Sequence, residues 1–168
     1  LIQLATETHQ ACIDPLKVSD FSPLIAIFKN QSMVKILHSP GQDLELFYQQ
    51  FDALPDPVFD TQLAAAVLGY ANQIGYADLV NRICGVQLDK KHTRADWSKR
   101  PLSEGELDYA MDDVRYLLQI YSELKSELEK RERTKTLAKS GSQGDNLSEM
   151  NNPATNLQFN DLKPIAVL

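Results

Sequence analysis

The strongest constraint on what this chain can become is the order of its segments: two short apolar runs close together, then apolar runs that alternate with helix start signals. Leu1 to Thr6 and Ala11 to Leu16 flank the polar stretch Glu7-Thr-His-Gln10, which predicts a strand, a turn and a second strand. The chain therefore opens on an antiparallel hairpin. Ser22-Pro23 supplies an N-cap and a first-turn proline ahead of Leu24, Ile25, Ile27 and Phe28, so a short helix is expected to end near Lys29-Asn30. Met33 to Leu37 reads as a buried strand. Ser39-Pro-Gly-Gln42 repeats the cap-plus-proline signal with the spacing of a capping box, opening a helix that carries Asp43, Leu44, Leu46, Phe47 and Phe51. After the Pro55-Asp-Pro57 break, Val58 to Asp60 is a brief strand, and Asp60 caps an alanine-rich helix over Thr61 to Tyr70. Gly75 to Cys84 makes another helix, closed by Gly85. Ser103-Glu-Gly-Glu106 is a second capping box, and the apolar spacing through Tyr109, Val114, Leu117, Tyr121, Leu124 and Leu128 predicts one long helix.

Beyond about Arg133 the pattern lapses. Residues 140 to 156 are mostly Ser, Gly, Asn, Gln, Asp, Thr and Pro, which reads as linker or disorder, and Leu157 to Leu168 has apolar residues without a clean period. The expected organisation is one domain over residues 1–133 and a linker or disordered tail over 134–168. A hairpin followed by alternating strands and helices predicts an α/β layered domain with a mixed sheet. About four strands are visible, so the sheet looks thin and short of a neighbour.

At 168 residues and 43% hydrophobic, the chain can bury a core without a disulfide or structural metal. Cys12 and Cys84 are too far apart for a zinc motif and too few for a disulfide framework, which fits a reducing, cytoplasmic setting. No apolar run approaches the roughly 20 residues of a membrane span, and no leader pattern is seen. The net charge of −6 disfavours a protein that coats nucleic acid by bulk electrostatics. It leaves room for an enzyme that cleaves nucleic acid through carboxylate-bound cations, because such ions reverse the local field. The run from Leu88 to Arg100 stands apart, with five basic residues against two acidic ones and Trp97 among them. Such a run is either a solvated face or a strand-contacting one.

Several residues could carry chemistry. Tyr109 and Asp113 lie one helical turn apart, on the same face, where a phenol and a carboxylate can hold a metal-bound water. The plain alternative packs Tyr109 in the core and leaves Asp112 and Asp113 to the helix dipole. Asp43, in a helix's first turn just past a strand end, is equally explained by the dipole. His38 is either a substrate contact beside Asp43 or a hydrogen-bonded core histidine. Phosphate-binding glycine loops, a nucleophile elbow and zinc-ligand spacing are all missing from the sequence. Oxygen-ligand chemistry suited to Mg²⁺ or Mn²⁺ remains.

The strings Leu1-Ile-Gln-Leu4, Ile13-Asp-Pro-Leu16, Lys35-Ile-Leu-His-Ser-Pro-Gly-Gln-Asp-Leu44, Phe59-Asp-Thr-Gln62, Lys90-Lys-His-Thr-Arg-Ala-Asp-Trp-Ser-Lys-Arg-Pro-Leu102 and Tyr109-Ala-Met-Asp-Asp-Val114 occur in that order. Together they resemble the ribonuclease D type of the DEDD superfamily of 3′-to-5′ exonucleases, in its tyrosine subgroup. The resemblance implies a ribonuclease H-like mixed sheet flanked by helices, here lacking its first strand. It implies that Asp43 is the carboxylate of the second exonuclease motif, and that Tyr109 and Asp113 form the Tyr-x-x-x-Asp third motif. Asp43 and Asp113 would ligate Mg²⁺ or Mn²⁺ in a two-metal site, with ions roughly 3.5–4 Å apart, and Tyr109 would orient the attacking water. His38, Lys90, Lys91, Arg94 and Trp97 would contact the nucleic acid, although Trp97 also reads as core.

The family's first motif, Asp-x-Glu on the opening strand, would lie upstream of Leu1. The only Asp-x-Glu here, Asp43-Leu-Glu45, is already taken by the second motif. The expectation is therefore a monomeric 3′-to-5′ exoribonuclease domain acting on single-stranded or structured RNA ends, with these 168 residues inactive by themselves. The alternative is a catalytically inert module on an exonuclease fold that binds nucleic acid or a protein.

Overall fold

The computed structural model describes residues 1–89, 91–140 and 162–168. The opening hairpin forms as the apolar pattern predicts: β1 (Ile2–Ala5) and β2 (Gln10–Ile13) run antiparallel, with Ile2 opposite Ile13 and Ala5 opposite Gln10. β3 (Met33–Leu37) and β4 (Val58–Asp60) run parallel. A fifth strand, β5 (Lys163–Val167), comes from the far end of the chain and enters the middle of the sheet, giving the order β2-β1-β5-β3-β4. It lies antiparallel to β1 and parallel to β3. The neighbour that the thin sheet called for is thus supplied by residues read from sequence as tail. The assignment of 134–168 to linker or disorder is corrected at both of its described ends, because the last helix runs to Ser140 and residues 163–167 are central sheet. Residues 141–161 fall outside the described part.

The reason lies in side-chain alternation. Ile165 and Val167 project into one face of the sheet and Ala166 into the other, all buried. A strand buried on both faces reads as a short continuous apolar run, without the polar alternation that marks a strand in sequence. Lys163 N–H bonds to Ser32 O at 3.1 Å, and Gln3 and Leu168 exchange two backbone hydrogen bonds at 2.7 and 3.0 Å.

Helices cover both faces of the sheet. On one side, α1 (Ser22–Lys29) and α2 (Gly41–Phe51) bring Phe28 and Phe47 against Ile2, Leu37, Ile165 and Val167. On the other lie α3 (Thr61–Leu68), α4 (Tyr76–Cys84), α5 (Glu104–Arg115) and α6 (Leu117–Ser140). Their Ala65, Leu79, Val80, Val114, Leu117, Ile120 and Leu124 pack on Val34, Ile36, Phe59 and Ala166.

Three local expectations change. Ser22 lies inside α1 and its side chain caps nothing. Ser39 forms no capping box, because it sits in the left-handed region at φ 53° with its N–H donating to Asp60 Oδ1 at 3.1 Å, while Pro40 takes the cap position. The expected single long helix is two, parted at Tyr116, where the apolar spacing continues unbroken and could not register the break. Asp60 and the Ser103–Glu106 capping box behave as read.

Lys35 is fully buried on β3. Its ammonium donates to the carbonyls of Asn30, Met33 and Asp56, which satisfies all three of its protons and ties the loop before β4 to β3. Burial pushes its pKa down to about 8. Lys35→Met, which keeps the stem but removes the ammonium that links these three carbonyls, is expected to cost about 3 kcal/mol, read from the urea midpoint. Ala166→Asp, placing a charge between sheet and helices, is expected to abolish cooperative unfolding altogether, as checked by near-ultraviolet circular dichroism.

Candidate active site

The carboxyl ends of β3 and β4 lead into the two helices nearest the candidate chemistry. β3 ends at Leu37, the chain turns through His38, Ser39 and Pro40, and α2 begins at Gly41, which sets Asp43 in its first turn. That position is favourable for a carboxylate beside a helix's positive end, yet Asp43 is half-buried and burial raises its pKa. On the opposite helical layer, α5 carries Tyr109 and Asp113 one turn apart, both half-buried. The pKa of Asp113 is raised to about 6, first by burial and then by the negative charges of Asp112 and Asp43. Asp43 and Asp113 therefore face one another electrostatically across the end of the sheet.

The adjacent carboxylates of α5 have separate tasks. Asp112 is held by Arg115 at 2.5 Å, and its backbone carbonyl accepts the Tyr76 hydroxyl at 2.8 Å. Asp113 has no such donor among the described residues, so its charge is left for something else to neutralise. Two converging carboxylates with raised pKa values suit a hard divalent cation, which takes oxygen ligands and commonly keeps several waters. Among the described residues no group of three or more potential ligands gathers.

Tyr109 is enclosed by the segment that precedes α5. Its hydroxyl lies 3.0 Å from Thr93 Oγ1. Its ring contacts His92 edge-on, with centroids 5.8 Å apart, and Trp97 at 6.0 Å with planes 32° apart. Trp97 is half-buried, which leaves one part of the indole against Tyr109 and another part exposed. Lys91 is exposed and paired with Asp89 at 2.8 Å, and Arg94 is exposed. Lys90 lies outside the described residues. Both ring nitrogens of His38 are engaged, Nδ1 with Thr61 Oγ1 at 2.9 Å and Nε2 with Ile74 O at 3.0 Å. His38 is thus the hydrogen-bonded core histidine of the two readings, and neither nitrogen is left for a nucleotide.

The sequence reading passed over Thr93 and His92, whose neighbours Lys91 and Arg94 drew attention by charge, and over the pair Asp14 and Arg100. Arg100 donates to both oxygens of Asp14, at 2.6 and 3.0 Å. These residues lie 86 positions apart, and only folding brings them together.

The raised pKa of Asp113 has a defined consequence for stability. Its folded pKa of about 6 exceeds the ordinary carboxylate value of 3.8, so between these values the native state binds more protons than the unfolded one, and stability falls as pH rises through about 6. Asp113→Asn is expected to unfold at a higher temperature than the parent at pH 7, by the equivalent of about 1–3 kcal/mol, and to match it below pH 4. Thermal melts across that range check this.

Three comparisons with known proteins bear on the site. The model of a 3′-5′ exonuclease family matches residues 1–129. Ribonuclease D of Haemophilus influenzae is 48% identical over 130 residues, covering 77% of this chain and 33% of that protein. The crystal structure of Escherichia coli RNase D, described as an exoribonuclease involved in structured RNA processing, superposes with a TM-score of 0.73 at 46% identity, over 76% of this chain and 34% of that one. A structure of Brucella melitensis NrnC with bound Mg²⁺ gives a TM-score of 0.58 at 31% identity, over 67% of this chain and 55% of that one. The chain spans about a third of the length of the ribonuclease D relatives. Sequence and fold agree that this chain belongs to the 3′-5′ exonuclease family, with ribonuclease D among its relatives.

Proposed function

We propose that these residues form the greater part of a divalent-metal-dependent 3′-to-5′ exoribonuclease domain that trims RNA ends. The observation that carries this reading is that Asp43 and Asp113, on opposite helical layers, are close enough for the charge of Asp43 to raise the pKa of Asp113, with Tyr109 one helical turn from Asp113. In this reading Asp43 and Asp113 hold Mg²⁺ or Mn²⁺, which when bound supplies water activation and stabilisation of the departing oxygen at a phosphodiester. The fit rests on the donors themselves: two hard oxygen ligands whose mutual repulsion a dication relieves. Tyr109 orients the attacking water through its phenol, whose position is fixed by Thr93 on one side and by the flanking rings of His92 and Trp97. Trp97, with its exposed part, offers a stacking surface to a terminal base, while Lys90, Lys91 and Arg94 pair with phosphates.

The substrate class is RNA with a free 3′ end, single-stranded or at the edge of structure, and the domain acts as a monomer. Two free, half-buried cysteines suit the reducing cytoplasm. The exonuclease part is taken as residues 1–133, with β5 closing its sheet. The pair of carboxylates by itself is a sparse set for a two-metal clamp. That sparseness favours one competing reading, an RNA-binding module on the same fold that does not cut.

An end-labelled single-stranded RNA, incubated with Mn²⁺ and the full-length protein that contains these residues, is expected to shorten one nucleotide at a time. The Asp113→Asn variant is expected to be slower by about 10²-fold or more. Equal laddering by both would remove Asp113 from the chemistry, and retention of the RNA without shortening would favour the non-cutting module. In thermal melts Mn²⁺ is expected to raise the melting temperature of the parent and leave that of Asp113→Asn in place.

A further inference from the structure

The segment carrying Trp97 is anchored to the domain by a fork that the exonuclease reading does not use. Asp14 follows β2 and is itself fixed: its Oδ1 accepts Leu16 N–H at 3.1 Å and its carbonyl accepts Lys17 N–H at 3.0 Å. From the other side, Arg100 places Nε on Asp14 Oδ2 at 2.6 Å and Nη2 on Oδ1 at 3.0 Å. The third nitrogen, Nη1, turns back into its own segment and donates to the carbonyls of Trp97 and Lys99, each at 2.8 Å. One planar guanidinium therefore joins the opening hairpin to the backbone of Trp97. The two side chains are 20% and 22% exposed, well shielded for an ion pair at a domain surface.

Besides the Thr93 contact with the Tyr109 hydroxyl of α5, several hydrogen bonds of the segment are of a different kind. Ala95 N–H to His92 O and Lys99 N–H to Asp96 O close turns within it, as does the Asp96 carboxylate on Ser98. Such bonds shape the segment but do not decide where it lies on the domain. Thr93 ties the segment to α5, and the Arg100 fork ties it to the sheet side, to which Asp14 belongs. What the fork places is the indole of Trp97 beside the ring of Tyr109.

We propose that Asp14 and Arg100 are a positioning pair that holds the Trp97 ring against Tyr109 and so sets the shape of the substrate-facing wall of the site. The proposal rests on reading Tyr109 as part of that site, but the placement of Trp97 is testable without any cleavage. Lysine cannot replace Arg100 here, since its single ammonium cannot span both carboxylate oxygens and also reach two carbonyls. Asparagine cannot replace Asp14, because its amide offers one acceptor oxygen where the fork needs two.

Trp97 is the only tryptophan in the chain, so its fluorescence reports this contact alone. Asp14→Asn and Arg100→Lys are each expected to shift its emission to the red and to increase its quenching by acrylamide, while far-ultraviolet circular dichroism and the cooperativity of melting stay as in the parent. The double variant is expected to move the indole signals no further than either single variant. Lys29→Ala, on the surface of α1, is the control and is expected to change neither signal. Unchanged emission and quenching in both single variants would overturn the proposal, as would additive shifts in the double variant. Loss of cooperative melting in the near-isosteric Asp14→Asn would also overturn it, assigning the pair to support of the fold. None of these readouts depends on RNA hydrolysis, so a failure of the exonuclease reading would leave them standing, and a failure here would leave that reading intact.

Discussion

The arrangement of this molecule depends on β5. β1 and β3 do not pair with each other; each pairs with the strand between them. That strand also links the two helical layers, because Ile165 and Val167 enter the α1 and α2 side while Ala166 enters the α3 to α6 side. With it in place, the opening hairpin, the β3–β4 pair and both layers share one core. The placement of Asp43 within electrostatic reach of Asp113 follows from that shared frame.

The carboxylate pair illustrates how function is set against stability in such a frame. Burial is the first cause of the raised pKa at both Asp43 and Asp113, and mutual repulsion adds to it at Asp113. Nearby polar groups are treated differently: Lys35 has three carbonyl acceptors, Asp112 has Arg115, and Asp60 caps α3 while accepting Ser39 N–H. These fold-building groups are satisfied inside it. The pair that a dication would neutralise is left with its charge uncompensated, the usual mark of a site whose partner comes from outside.

Tyr109 is constrained by both local and distant chemistry. Its place on α5 is set by the Ser103–Glu106 capping box and by helical periodicity. Its surroundings belong to the preceding segment, through Thr93, His92 and Trp97. That segment is in turn tied to the hairpin by Arg100 and Asp14. A basic run that reads in sequence as a charged face thus serves in part as packing around an aromatic group.

Much of the fold could be read from the chain alone, wherever the signal was local. The opening hairpin, the start of α5, the Asp60 cap, the αL glycine closing α4 and the i to i+4 relation of Tyr109 and Asp113 need only neighbours within a few residues, and family-like strings in order pointed to the exonuclease. What failed locally did so for local reasons: Ser39 had the composition of a cap, but its N–H was claimed by Asp60 from a different strand. Tertiary structure alone decided the rest. Periodicity could not place β5, because a strand buried on both faces has no alternation, and its partners are more than a hundred residues away in the chain. It could not choose between the two readings of His38 until Thr61 and Ile74 were brought to its nitrogens, nor pair Asp14 with Arg100. Sequence determined which residues could carry the chemistry; the contacts between distant segments decided which of them meet.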